Sequence, residues 1–348
     1  MSLARNLSKL AQFLNGSGLL TSLGLAPDAV QVGMKNRIIN GAFQIAQRST
    51  GGSSTPSAGV TSYTTLDRWF IAQTGTTASL FQGQTTPQTT GVYKAGYFGR
   101  NSGQTNVPSN IFMGQQIESF NVYDLRGQSA IISFNAFRGA NAPTSLKCVV
   151  RFGTAADQSS SNGLNGSWTG YSASTASDFT VDTTVGTFTK TVSVPSDASE
   201  MMVLFYYAPT GTAGANEWFA FENVQLEKNS TATSFDYRPY GTELALCQRY
   251  FNTVKAINGT SGGTNNGMFS NVGYAEMRTT PTFAVTGALV ITDPGNAVYT
   301  QSSGNVSVAG GQSSSGAFLA FGNFSGLPFN RSLMLNTNTT YLTLNAEL

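Results

Sequence analysis

From Asn36 to Tyr240 the chain presents its apolar residues in short runs, each cut off by Gly, Pro, Asn or Ser clusters. That punctuation predicts a β-sandwich or jelly roll rather than alternating βαβ units. Ser129–Phe137 shows it most clearly, with Ile132, Phe134 and Ala136 alternating against Ser133 and Asn135. Further strands are expected at Leu146–Phe152, Phe179–Thr183, Thr187–Val194, Met201–Tyr207 and Trp218–Leu226. Ser49–Thr64, Thr85–Pro108 and Asp157–Ser177 read as long irregular stretches dominated by Gly, Ser, Thr and Gln. Loops of that length are usually functional or disordered. Residues 252–348 return to short strands: Phe283–Thr292, Ala297–Thr300, Val306–Ala309, Ala317–Phe321, Ser332–Leu335 and Tyr341–Leu344. The fold class expected is therefore all-β, a jelly-roll sandwich followed by a second small β domain.

Two helices interrupt this pattern. Residues 2–15 form a short amphipathic one, capped by Ser2 and stopped at Asn15-Gly16. Its Leu3, Leu7, Leu10 and Leu14 follow the spacing of a coiled-coil seam. Fewer than two heptads cannot hold a coiled coil alone. The helix therefore packs on its own domain, joins a bundle about a three-fold axis, or docks as a peg. Glu243–Phe251 is the second helix, with Leu244, Cys247 and Phe251 on one face, and it is expected to plug between domains. The resulting division is 1–35 for helix and connector, 36–241 for the sandwich, and 242–348 for the linking helix and tip domain.

Composition removes much chemistry. The chain has 348 residues and no histidine, which rules out Ser-His-Asp and Cys-His catalysis and histidine metal sites. Charged residues make up only 10% and the net charge is +2, with basic residues scattered, so nucleic acid is not an expected partner. Cys148 and Cys247 read as buried free thiols. No continuous apolar stretch long enough for membrane insertion stands out, and no P-loop, dinucleotide fingerprint or EF-type loop is present. Neither a cofactor nor a metal is expected. The carboxylates Asp178/Asp182 and Glu217/Glu222/Glu227 are the closest approach to a glycosidase pair, and they read more simply as solvated strand faces.

Binding a sugar without cleaving it needs aromatic faces and planar polar side chains. Trp168 and Tyr171 stand in the Gly/Ser-rich stretch 159–177, where a large aromatic has little core to enter. Phe98, Arg100, Asn101 and Gln104 stand in another irregular stretch, whereas Trp218 reads as core. In the tip domain Tyr274 and Tyr299 are surface candidates, and Phe324 and Phe329 read as core. Receptor contact is expected in residues 252–348.

The sandwich is framed by two groups of motifs. Asn-Arg-Ile-Ile-Asn-Gly-Ala-Phe-Gln-Ile-Ala-Gln-Arg (36–48) and Leu-Asp-Arg-Trp-Phe (66–70) open it. Asn-Val-Gln-Leu-Glu-Lys (223–228), Ser-Phe-Asp-Tyr-Arg-Pro-Tyr (234–240) and Glu-Leu-Ala-Leu-Cys-Gln-Arg-Tyr-Phe (243–251) close it. This pattern, over roughly residues 36–251, resembles bacteriophage tail-fibre and receptor-binding proteins, whose jelly-roll modules look like carbohydrate-binding modules. The resemblance implies a homotrimeric, non-enzymatic virion component, docked to tail or baseplate proteins by its N-terminus and binding a bacterial surface polysaccharide. It gives Asp67-Arg68-Trp69 a structural role. A baseplate adaptor that binds only virion proteins is the alternative, and a glycan-cleaving depolymerase a third.

Overall fold

The computed structural model describes residues 34–262, 267–335 and 340–348, and Leu3, Leu7, Leu10 and Leu14 lie outside them. Among the described residues the chain is all-β, and its paired strands run antiparallel. The sandwich strands are β1 (Gly51–Ser54), β2 (Phe70–Gly75), β3 (Leu80–Thr85), β4 (Ala95–Arg100), β5 (Pro108–Ile117) and β6 (Ser129–Arg138). They continue with β7 (Ser145–Gly153), β8 (Ser172–Ala173), β9 (Ser177–Thr180), β10 (Gly186–Ser193), β11 (Glu200–Tyr207) and β12 (Trp218–Glu227). Sheet I has the order β1-β3-β4-β12-β6-β10, and sheet II the order β2-β5-β11-β7-β8 with β9 also on β7. From β4 to β7, and again from β10 to β12, each successive strand crosses to the other sheet, which gives the jelly roll its interleaved core.

Alternation decides what that core contains. Along β12 Phe219 and Phe221 point inward and are fully buried. There Phe221 meets Phe205 from sheet II at 4.6 Å between ring centroids, and Phe134 meets Phe205 at 4.8 Å. Cys148 lies in the same core, where burial pushes its thiol up to about 12, and Cys247 is likewise buried and unpaired. All three expected irregular stretches contain strands, residues 157–177 holding the short β8. Residues 85–108 hold β4, whose Phe98 is fully buried and whose Arg100 grips Glu217 with two bonds of 2.6 Å. Residues 49–64 hold β1.

The opening and closing motifs meet in space. Asn40-Gly41-Ala42-Phe43, within the opening motif, is a buried turn with Asn40 at φ 60° and Phe43 at φ 54°. Asn40 bonds its side chain to Ile45 and to the Asp67 carbonyl, while the Trp69 indole donates to the Asn40 carbonyl at 3.0 Å. The turn lies against a bulge in β12 between Glu222 and Gln225. A Cβ on Gly41 would stand 2.1 Å from the Val224 carbonyl oxygen, so only glycine fits there. Asn36 completes the join, donating to the Val224 carbonyl and accepting from Leu226 N.

Beyond the sandwich, the helix α2 (Tyr240–Gln248) follows the earlier short helix α1 (Ser160–Leu164). It ends before Phe251, which begins a strand, and it buries Cys247 with Ile39, Ile45 and Tyr250. Two sheets follow with a core of their own around Met268, Leu289, Ile291, Leu319 and Phe321. The strand expected at Phe283–Thr292 is two strands in different sheets, Thr282–Val285 and Val290–Thr292. Phe324 is buried as expected, but Phe329 is 73% exposed because it sits outside any strand at a surface turn.

Charged residues clamp this second part to the sandwich. Glu347 pairs with both Arg48 and Arg68, and those guanidiniums lie 3.7 Å over the Phe251 ring and 3.5 Å over the Tyr250 ring. Glu118 accepts from Tyr250 Oη at 2.6 Å and Arg249 Nη2 at 2.5 Å. Burial works against the Glu118 charge, yet these bonds hold its carboxyl below the usual range.

Candidate functional site

The sequence candidates do not converge. Trp168 is buried at 3% exposure, contrary to the expectation that it had no core to enter. The excursion carrying α1 folds back over the outer face of sheet II, where Trp168 and Leu164 join Phe70, Phe112, Met202 and Leu204. Its indole donates to the Ser159 carbonyl at 2.9 Å, and a Cβ on Gly163 would stand 2.4 Å from its ring. Tyr171 lies at the rim of this cap, 38% exposed, with the Arg151 guanidinium 5.9 Å from its ring. Tyr274 and Tyr299 are in the second domain, half-buried against its core. The Tyr274 hydroxyl donates to the Ser313 carbonyl at 2.9 Å, and its ring meets Phe283 edge-on at 6.1 Å. Arg100 and Phe98 are enclosed, while Asn101 bonds Ser53 and Ser79.

A different group of aromatics is gathered by the outer face of sheet I. Inward Phe219 and Phe221 leave Trp218, Ala220 and Glu222 outward on β12, and inward Phe98 leaves Tyr97 outward on β4. Strand register then lines up two adjacent rungs. One rung runs Ser53–Phe81–Gly99–Trp218, and the next runs Gly51–Gly83–Tyr97–Ala220–Phe137. Rings alternate with glycine or alanine along each rung, so each ring leans over a position that carries little side chain.

The resulting chain of contacts crosses four strands. Phe81 and Tyr97 are 5.1 Å apart between centroids, Tyr97 and Trp218 6.4 Å at 87°, and Trp218 and Phe137 5.8 Å at 90°. Phe137 forms the buried floor; Phe81, Tyr97 and Trp218 are half-buried. Close approach accounts for the small residues: a Cβ on Gly139 would stand 2.7 Å from the Trp218 ring, and one on Gly99 2.1 Å from the Glu217 carbonyl oxygen. Next to the rings lies a polar rung on which Asn135 pairs with both Glu222 and Thr187. The Glu222 carboxylate accepts from Gln88 N at 2.6 Å and Thr89 N at 3.3 Å, and its other oxygen is buried without a partner among the described residues. Thr187 donates to Asn135 at 2.9 Å.

This surface offers ring faces for the C–H side of a pyranose and neutral or acceptor groups for its hydroxyls. Alternation within Trp218-Phe219-Ala220-Phe221 was the available signal for it. The other carboxylates considered for catalysis are dispersed and engaged: Asp178 accepts from Ser145 Oγ at 2.7 Å, Asp182 from Thr183 N at 2.7 Å, Glu217 holds Arg100, and Glu227 accepts from Thr233 at 2.6 and 2.9 Å.

No protein-family model and no curated protein matches this chain. Solved structures similar to it include the enzymatically active domain of bacteriophage CBA120 tailspike protein 4, at 15% identity and a TM-score of 0.33. That likeness covers 55% of this chain and 21% of the tailspike chain, so it spans about a fifth of that protein. A CBM4 structure is similar over 55% of this chain and 98% of its own, at 19% identity and a TM-score of 0.31. TmCBM61 in complex with β-1,4-galactotriose is similar over 56% of this chain and 100% of its own, at 8% identity and a TM-score of 0.29. Likenesses this distant say nothing of what this chain binds; its sandwich architecture stands on its own strand pairing.

Proposed function

We propose that this chain is a phage tail-fibre or tail-tip protein that self-associates, attaches to the virion by its N-terminus and binds a host-surface glycan without cleaving it. The observation that carries the binding half is the Phe81–Tyr97–Trp218 stripe on sheet I. Three half-buried rings on adjacent strands, bordered by the polar rung of Glu222, Asn135 and Thr187, match the two faces of a sugar. The phage assignment draws on the motifs at 36–48, 66–70 and 223–251. This reading takes the sandwich, rather than the expected residues 252–348, as the receptor-binding part. The Tyr97–Trp218 contact supports it, while the Tyr274 hydroxyl is spent on the Ser313 carbonyl.

The absence of cleavage in this proposal draws support from the carboxylates. Glu217 is spent on Arg100, and Glu222 accepts from the backbone of Gln88 and Thr89, so neither stands free as one of the two acids that glycoside hydrolysis needs. The experiment is binding of the full chain to a panel of bacterial surface polysaccharides, with reducing ends followed over time in the same samples. Binding that Trp218→Ala removes, with no product released, is the expected result. Reducing ends that accumulate with the intact chain and vanish in Glu222→Gln would refute the non-catalytic reading.

A further inference from the structure

The seven-stranded sheet of the second domain has an outer face of its own. Ile291, Leu333, Met268 and Leu319 point into that domain's core, so the residues alternating with them point to the other side. Register sets those outward residues on two neighbouring rungs. One runs Val298–Thr292–Met334–Asn258, and the other Ser332–Thr260–Phe269–Ala320–Ser307. Neither rung carries a charge. Asp293, next to Thr292, is buried and turned onto its own loop, accepting from Gly295 N at 2.9 Å and Ala297 N at 3.0 Å. Across the two rungs lies a trough of about 400 Å³, with Asn258, Thr260 and Ser332 as its polar lining and Pro294 and Met334 as its apolar one. Small-ligand sites have volumes of this order.

The polar groups at this trough are unspent. Among the described residues the Asn258 amide and the Thr260 and Ser332 hydroxyls have no hydrogen-bond partner, and the Thr292 hydroxyl is enclosed without one. Comparable groups elsewhere are used: Asn101 bonds Ser53 and Ser79, and Thr187 bonds Asn135. Directly after Thr260 on its rung comes Phe269, half-buried and stacked on Phe318 at 5.9 Å and 24°.

We infer that this trough is a second sugar site, taking a neutral saccharide residue, separate from the rings on sheet I. The mixture of groups selects that occupant. An apolar partner would bury the free amide and hydroxyls without a bond, at the cost of their desolvation. An anion would find no cation on either rung. A neutral pyranose answers both halves of the lining: its hydroxyls bond Asn258, Thr260 and Ser332, and its C–H side lies against Met334 and the Phe269 edge of the trough. The inference goes beyond the proposed function and stands without it. Two sites on one chain would reinforce one another on a repeating polysaccharide, because the second contact becomes intramolecular.

Saturation-transfer NMR and calorimetry of the full chain with oligosaccharides of dextran, mannan and galactan test it. Trp218→Ala, which strips sheet I of its central ring, should still bind one of these neutral sugars. Adding Asn258→Ala and Ser332→Ala to it should weaken that remaining binding by about tenfold or more, as the loss of two hydrogen bonds does. Both positions are exposed, so the melting temperature should not change, and Ser332→Thr, which keeps the hydroxyl, should bind as before. Trp218→Ala that abolishes all binding overturns the trough and leaves the sheet I reading standing. Binding in Trp218→Ala that the added pair does not weaken overturns the trough as well. Loss through Asn258→Ala and Ser332→Ala alone, with Trp218→Ala without effect, supports the trough and removes sheet I. An intact chain that binds none of the three sugars at millimolar concentration overturns the trough, whatever sheet I does with surface polysaccharides.

Discussion

The two sheets of the sandwich are each built around large aromatics, yet their outer faces meet opposite fates. On sheet II the excursion between β7 and β9 folds back, and Trp168 completes a closed cluster over Phe112 and Leu204. On sheet I Trp218 stands on a rung beside Gly99, next to a rung on which Ala220 separates Tyr97 from Phe137, and its floor, Phe137, is buried. The same residue type is therefore structural on one face and available on the other. What separates them is whether a segment distant in sequence returns to cover the ring.

The sharpest test of that contrast is stability. Trp168→Ala should lower the unfolding free energy by about 3–5 kcal/mol, as removal of a fully packed aromatic does. Urea unfolding measures it, and a change below about 1 kcal/mol would show that the cap is not part of the core. Trp218→Ala should do the reverse, reducing affinity for the glycan by about tenfold or more while stability changes by about 1 kcal/mol or less. Titration calorimetry beside a melting curve separates the two effects, and unchanged affinity would remove sheet I as the binding face.

Protonation sharpens the comparison further. Glu200 anchors the cap through Gln158 N at 3.0 Å and through Gln116, and burial raises its carboxyl from 4.5 to about 7. The folded state keeps this proton after the unfolded chain has lost it. Glu200 therefore favours folding most below about 4.5, and that advantage is lost as pH rises towards about 7. Asp67, raised by burial from 3.8 to about 6, acts in the same direction at the clamp to the second domain. Melting temperatures across this window should fall less steeply for Glu200→Gln than for the intact chain. An identical slope would assign the pH dependence away from the cap. The smallest effect is expected at the cap's rim, where Tyr171→Ala should shift stability by about 0.5 kcal/mol or less and leave glycan affinity unchanged. A loss of affinity there exceeding that of Trp218→Ala would move the binding face to sheet II.

Much of the candidate face was within reach of strand periodicity. Once Phe219 and Phe221 face inward, Trp218 cannot. The rest of the face required register: Phe81, Tyr97 and Phe137 come from three other strands, and only the pairing of β3, β4, β12 and β6 puts their rings in contact. Thr85–Pro108 hid one of those strands because the Gly-rich run Ala95–Arg100 reads as loop, when Gly96 leaves room for the Phe43 ring in the core and Gly99 lets the Glu217 backbone approach.

By itself the sequence determined the all-β class and the inward or outward sense of its clearest strands, because alternation is a local property of each strand. It also carried the turn residues that forbid substitution, such as Gly41. Tertiary structure alone decided which aromatics are covered and where charges are spent. Arg100 finds Glu217 across 117 residues, and Arg68 finds Glu347 across 279. A guanidinium enters the interior only when a carboxylate is already waiting there, and no local pattern records a partner so far along the chain.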